Sequence, residues 1–181
     1  MISNSSTHWG SISRGLHWLT LILILGLATV GLLMTELPNS PFKIQVYALH
    51  KSFGLTVLAL TLLRLLWRWL AGSPEAISGT RLEQWAAKAV HVLLYILLIT
   101  LPLSGWLYNS ASGFPLKWFN LISLPRLLGG YNPQVKQLAH EWHENGFYML
   151  AVLLSLHAGA ALYHHYVKKD DTLKRMTGKM P

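Results

Sequence analysis

Two histidines, His143 and His157, stand 14 residues apart in the stretch EWHENGFYMLAVLLSLHAGAALYHHY, residues 141–166. At about 100° per residue, 14 helical steps return to within about 40° of the starting direction. At about 1.5 Å per residue they separate the two rings by about 21 Å along the axis. Both imidazoles would then face one way at two depths, as two metal stations on one wire would require. The sequence contains nine histidines and no cysteine. Disulfides, iron–sulfur clusters and thiolate ligation are therefore excluded, and a transition metal must be held mainly by imidazole.

The elements that position these residues follow from where the charge is missing. From Asn145 to Val167 the chain runs 23 residues without a formal charge, enough to cross a bilayer as one helix. Gly15–Thr35 and Ala89–Asn109 are two further uncharged runs of 21 residues each. The second block is shorter, Ser52–Leu63, with 12 uncharged residues. Its flanking Lys51, Arg64 and Arg68 can snorkel to the two surfaces, and Trp67 and Trp69 suit an interface, so it too reads as a span. The expected architecture is all-α: one domain over residues 1–181, an integral membrane four-helix bundle with helices at roughly 15–35, 46–70, 86–109 and 142–167. Residues 1–14 are expected to be mobile at first. The first block is too long for a signal-peptide core and no small-residue cleavage pattern follows it, so it reads as retained. Pro102 falls inside the third helix, where membrane helices tolerate a kink. The connection at 110–140 is amphipathic and aromatic and is expected to lie along the interface, while the tail from Lys168 is basic and expected to be solvated.

Lysine and arginine set the orientation. With four spans, ten cations share the side of the termini: Arg14, Arg64, Arg68, Arg81, Lys88, Lys168, Lys169, Lys174, Arg175 and Lys179. Five lie opposite: Lys43, Lys51, Lys117, Arg126 and Lys136. Both termini are thus expected in the cytoplasm. The formal net charge of +8 clusters beside apolar blocks rather than on a soluble face, which argues against a nucleic-acid partner.

Depth then sorts the histidines. His50, His140 and His143 fall near the outer face; His17, His91, His157, His164 and His165 fall towards the inner one. A haem gripped between two helices needs one imidazole from each at matching depth, which gives His50 with His143 and His17 with His157. A histidine at a helix end is commonly an ordinary interfacial residue. His157, however, lies well inside an uncharged span, where an ionisable group is costly and usually has a function. His140, three residues before His143, is the alternative outer ligand. Arg14, Arg64 and Lys51 are placed to meet haem propionates, with Lys136 also available outside, although topology anchoring would explain such cations equally. Gly54, Gly146 and the run Ala158–Ala161 near the ligands serve either close helix packing or room for a flat macrocycle. His91, with His164 and His165, could line a site for a small partner.

The strings LHWLT at 16–20, LHKSFG at 49–54, LLRLLWR at 62–68, HVLLYILLITLPLSGW at 91–106, WHE at 142–144, LHAGAALYHHY at 156–166 and KDDTLKRMTGK at 169–179 resemble the bacterial cytochrome b-561 family. The resemblance covers nearly the whole chain. It implies a multi-pass protein of the bacterial inner membrane with two haem b groups, and motif matching assigns His17, His50, His143 and His157 as iron ligands. It also implies electron exchange with the membrane quinone pool, ubiquinone being the exchangeable substrate, at a site that maps onto His91 and His164. One branch oxidises superoxide at the periplasmic face. That branch has a Lys/Pro-rich run before the third helix, where this chain reads GSPEAISGTRLEQ.

The expected function is electron transfer across the membrane through two bis-histidine haems, between quinone and a periplasmic small-molecule or protein redox partner. Superoxide:ubiquinone oxidoreduction is one form of it. The alternative is a membrane-anchor cytochrome b subunit that carries electrons from a dehydrogenase or hydrogenase. A histidine-lined metal transporter without haem is a second alternative.

Overall fold

The computed structural model describes residues 1–75, 77 and 79–178, so Lys179 of the cation count lies outside the described residues. Four helices are long and apolar enough to cross a membrane: α1 (Ser11–Met34), α2 (Pro41–Ala71), α3 (Arg81–Ala111) and α4 (Pro133–Tyr163). Each starts before the uncharged span read from the sequence, and at α2, α3 and α4 a polar side chain caps the first turn. Ser40 accepts from the Lys43 amide at 3.2 Å, with Pro41 in the first turn of α2. Thr80 and Glu83 form a reciprocal capping box at α3. Asn132 accepts from the Val135 amide at 3.1 Å, so α4 begins at Pro133 rather than at residue 142.

Both chain ends differ from expectation. The amino-terminal arm is tied down rather than mobile, through one asparagine. Asn4 Oδ1 accepts from the Gly10 amide at 2.9 Å and the Ser13 hydroxyl at 2.7 Å, while its Nδ2 donates to the Gly72 carbonyl at 2.8 Å. At the other end α4 runs into a π-helical turn, His164–Lys168, and Lys169 takes a left-handed conformation (φ 56°) that reverses the chain. The tail with its short helix α5 (Lys174–Thr177) is then a strap across that end of the bundle. Arg175 donates to the Glu75 carbonyl at 2.8 Å, and Trp18 Nε1 of α1 donates to the Met176 carbonyl at 2.9 Å.

The connection between α3 and α4 contains a small antiparallel hairpin, β1 (Leu116–Trp118) and β2 (Ile122–Leu124), with Leu116 opposite Leu124. Phe119 donates its amide to Ser52 Oγ at 3.0 Å, and Trp118 Nε1 donates to Thr56 Oγ1 at 3.1 Å, which docks the hairpin on α2.

Helix α1 packs on α2, α2 on α3, and α3 along α4. Among the described residues α4 makes no extended backbone approach to α1 or α2. One apolar cluster unites the bundle at mid-depth: Val57, Leu97, Leu98, Leu101, Leu150 and Leu153, with Leu23, Ile24 and Leu27 of α1 against it. Large apolar side chains such as Ile22, Leu62, Val152 and Tyr166 face outward, as helices surrounded by hydrocarbon require.

Candidate haem sites

Two histidine pairs bridge the space between α4 and the α1–α2 pair, one on each side of the apolar cluster. At the inner level the His17 and His157 ring centroids are 6.2 Å apart with an interplanar angle of 63°. At the outer level His50 and His143 are 6.3 Å apart at 68°. Half of either separation, about 3.1 Å, matches a metal–imidazole bond of about 2 Å plus the radius of the ring. His91 also reaches the inner level, with its ring 5.1 Å from that of His157. That is closer than two rings on opposite sides of one metal.

His143 is oriented by the neighbouring helix. Its Nδ1 lies 3.0 Å from the Leu101 carbonyl and 3.0 Å from Ser104 Oγ. The Leu101 carbonyl can only accept, so Nδ1 carries the proton and Nε2 keeps its lone pair. His140 is in a different setting. Its side chain is 64% exposed, 3.9 Å from Glu144 and 5.6 Å, ring to ring, from Tyr108, in an open groove of about 310 Å³. On α2, the His50 ring pairs with His143 rather than with His140.

Similarity to known proteins agrees with this geometry. Residues 8–179 match the model of a family described as prokaryotic cytochrome b561. The chain belongs to that family. It is 34% identical to cytochrome b561 homolog 2 of Escherichia coli K12 over 179 residues, covering 98% of this chain and 95% of the relative. It is 31% identical to cytochrome b561 homolog 1 of the same organism over 163 residues, 89% and 92% of the two chains. A Yersinia pestis protein called probable superoxide oxidase CybB is 29% identical over 172 residues, 94% and 96% of the two chains. As a cytochrome b561, the chain is a transmembrane haem b protein of electron transport.

The residues present in this cytochrome b561 fit such a group. His17 and His50 each bury Nδ1 with no hydrogen-bond partner among the described residues, so hydrogen bonding within the chain does not account for either ring. The outer pair is bracketed by glycines that sequence reasoning passed over. A Cβ at Gly31 would approach His50 Cε1 to 3.2 Å, and one at Gly105 would lie 3.5 Å from His143 Cε1. Of the small residues singled out in the sequence, Gly54 and Gly159 would present a Cβ to nothing within 4 Å. Gly146 belongs to helix packing, since a Cβ there would come within 2.9 Å of Leu101 Cδ2. Among the described residues no three His, Asp or Glu side chains converge on a point where a bare metal ion could be held.

The expected cations have distinct surroundings. Arg64 places its guanidinium 5.5 Å from the Tyr95 ring centroid, and Arg14 buries Nε without a partner. Lys51 already donates to Asn109 Oδ1 at 3.0 Å. His164 does not join the inner pair; its Nδ1 is bonded to Asp170 Oδ2 at 2.5 Å. His165 stacks edge-on to Tyr166 and leaves its Nδ1 without a partner. Sequence reasoning missed Leu101, Ser104, Tyr95, Asn109 and Asp170. Only Asp170 carried a signal, as an acidic residue inside a basic tail.

Proposed function

We propose that this cytochrome b561 carries single electrons across the bacterial inner membrane through two haem b groups, one held by His50 and His143 and one by His17 and His157. The observation that carries this reading is the pair of facing imidazoles at 6.2 and 6.3 Å, with α4 supplying one ring to each. The outer pair exchanges electrons with a periplasmic redox partner and the inner pair with the membrane quinone pool, ubiquinone in the first instance. Both termini lie in the cytoplasm, supported by the ten-to-five division of lysine and arginine. For the outer donor, superoxide is the first candidate to test, because a relative aligned over 94% of this chain is named a probable superoxide oxidase.

A haem held by two imidazoles would supply reversible one-electron chemistry, suited to outer-sphere transfer rather than oxygen binding. The chain's own side chains do the rest. Leu101 and Ser104 fix the tautomer of His143. Arg64, beside Tyr95, and Arg14 provide positive charge for propionates at the inner level, and Lys51 does so at the outer level once it shares its bond to Asn109. The leucine cluster between the stations keeps water out of the middle of the bundle. His91, against His157, and His164, at the inner end of α4, exchange protons with quinone.

The test is haem stoichiometry in the purified chain. A pyridine haemochrome assay is expected to give about two haems per polypeptide, in keeping with two imidazole pairs. A value of about one would remove a station. Stopped-flow mixing with superoxide, with and without quinone, then tests the donor.

A further inference from the structure

The quinone end, as read above, needs a histidine whose proton-exchanging nitrogen is held ready, and one feature of the inner surface does this. At the end of α4 the helix widens into the π-helical turn His164–Lys168, and the left-handed Lys169 brings Asp170 back beneath the turn. The Asp170 amide donates to the His164 carbonyl at 3.2 Å. One carboxylate oxygen, Oδ2, meets His164 Nδ1 at 2.5 Å, and the other, Oδ1, accepts from the Thr172 amide at 2.9 Å. The two side chains are 25% and 20% exposed, neither sealed nor free. Single π turns inside α-helices occur frequently at functional sites. Here the turn is what allows a residue six positions later to reach the ring.

We propose that Asp170 is a positioning residue for quinone chemistry: it grips His164 by Nδ1 and so reserves Nε2 as the nitrogen that exchanges a proton with a quinone oxygen. This rests on the reading of His164 as a quinone-side residue. A carboxylate bonded to Nδ1 fixes the ring orientation and compensates the charge when both nitrogens are protonated. Among the described residues Nε2 has no hydrogen-bond partner. For each electron that a quinone oxygen gains from a b-type haem, the Nε2–H bond breaks and an O–H bond forms. The ring is left neutral, its proton on Nδ1 and still donated to the ionised Asp170 carboxylate, and water on that side returns the Nε2 proton. Two such steps convert quinone to quinol, and quinol oxidation is the reverse.

The groups around the dyad do not duplicate it. Lys168 on the π turn is committed to Glu83 of α3, and Asp171 to Lys174 at 2.9 Å. Tyr163 sets its ring 6.1 Å from His164, at 90°. Burial pushes the Asp170 carboxyl up, yet the bonds from His164 and Thr172 outweigh it and hold the group at about 2. The carboxylate is thus ionised at every pH at which the ring could work.

The experiment uses the full haem-loaded chain in nanodiscs, prereduced with dithionite and reoxidised by a short-tailed soluble quinone from about pH 5 to about 8. Asp170→Asn is expected to slow reoxidation about 10–100-fold at unchanged haem content and spectrum. Its rate should also vary with pH differently from the parent's, because the carboxylate bonded to Nδ1 has been replaced by a neutral amide. Asp170→Glu should recover part of the rate. Arg175→Ala frees the strap from the Glu75 carbonyl without touching His164, and should keep the parental rate and profile. The proposal is overturned if Asp170→Asn retains both rate and profile, or if Arg175→Ala reproduces the Asp170→Asn behaviour. His164→Gln separates the two levels of the argument. If it reoxidises at the parental rate, the quinone reading of His164 fails. If it is slow while Asp170→Asn is normal, only the role of Asp170 falls.

Discussion

At the scale of single residues, one hydrogen bond sets two neighbouring histidines apart. His140 and His143 are both on α4 near the outer face, yet only His143 lies across from His50 with Nδ1 committed to the Leu101 carbonyl. His50→Ala and His143→Ala should therefore each remove the same haem, leaving about one per chain by pyridine haemochrome. His140→Ala should keep both. Equal loss from His140→Ala and none from His143→Ala would reverse the assignment. The pairing itself was legible in the sequence, because the 14-residue spacing on one helix and the depth of His17 and His50 depend only on helical geometry. The bonds that tune it were not. Leu101 and Ser104 reach His143 only because α3 packs along α4, and Asp170 reaches His164 only through a π turn followed by a left-handed residue. None of these leaves a periodic trace.

At the scale of elements, uncharged runs located all four helices but misjudged their ends. α2 is 31 residues long although its uncharged core has 12, because Ser40 and Pro41 start it in the polar loop and its cations lie along its length. The hairpin between α3 and α4 escaped notice because three-residue strands carry too short an alternation to read. The packing of α3 on α4 gives a direct test. Gly146→Leu would drive side-chain atoms into Leu101, which a Cβ alone would approach to 2.9 Å. Overpacking of this kind costs about 1–3 kcal/mol and should lower the thermal midpoint of loss of haem absorbance. Gly54→Ala, with nothing within 4 Å of its Cβ, should leave that midpoint near the parental value. The strap has its own pH signature. The Asp170 carboxyl is held at about 2, below the usual aspartate range, so its folded pKa is depressed. Its contribution to docking the strap is present in full above the unfolded value of about 3.9 and is lost as pH falls through the folded one. Hydrogen exchange at the Thr172 amide, bonded to Asp170 Oδ1, should rise over that acid window and should already be raised at neutral pH in Asp170→Ala.

For the whole molecule, α4 is the shared member: it gives one imidazole to each station, while α1 and α2 each give one to a single station. Between the stations sits the apolar cluster of Val57, Leu97, Leu98, Leu101, Leu150 and Leu153, with no ionisable side chain among its members. Such a layer passes an electron but offers a proton nothing to hop along. If each pair holds a haem as proposed, an electron moving between them separates charge across the bilayer, and the membrane potential acts on that step. Moving one elementary charge through the full field is worth about 2.3 kcal/mol per 100 mV. In a membrane negative inside, with the termini in the cytoplasm as proposed, transfer from the His50–His143 pair to the His17–His157 pair runs uphill and the return runs downhill. In proteoliposomes of uniform orientation carrying a potassium diffusion potential, reduction of the inner station from outside should slow at one polarity and quicken at the other. A rate indifferent to polarity would mean that the leucine layer is not an insulator. If it is one, the chain works as an electrical element whose preferred direction of current is set by the energised state of the membrane as well as by its redox partners.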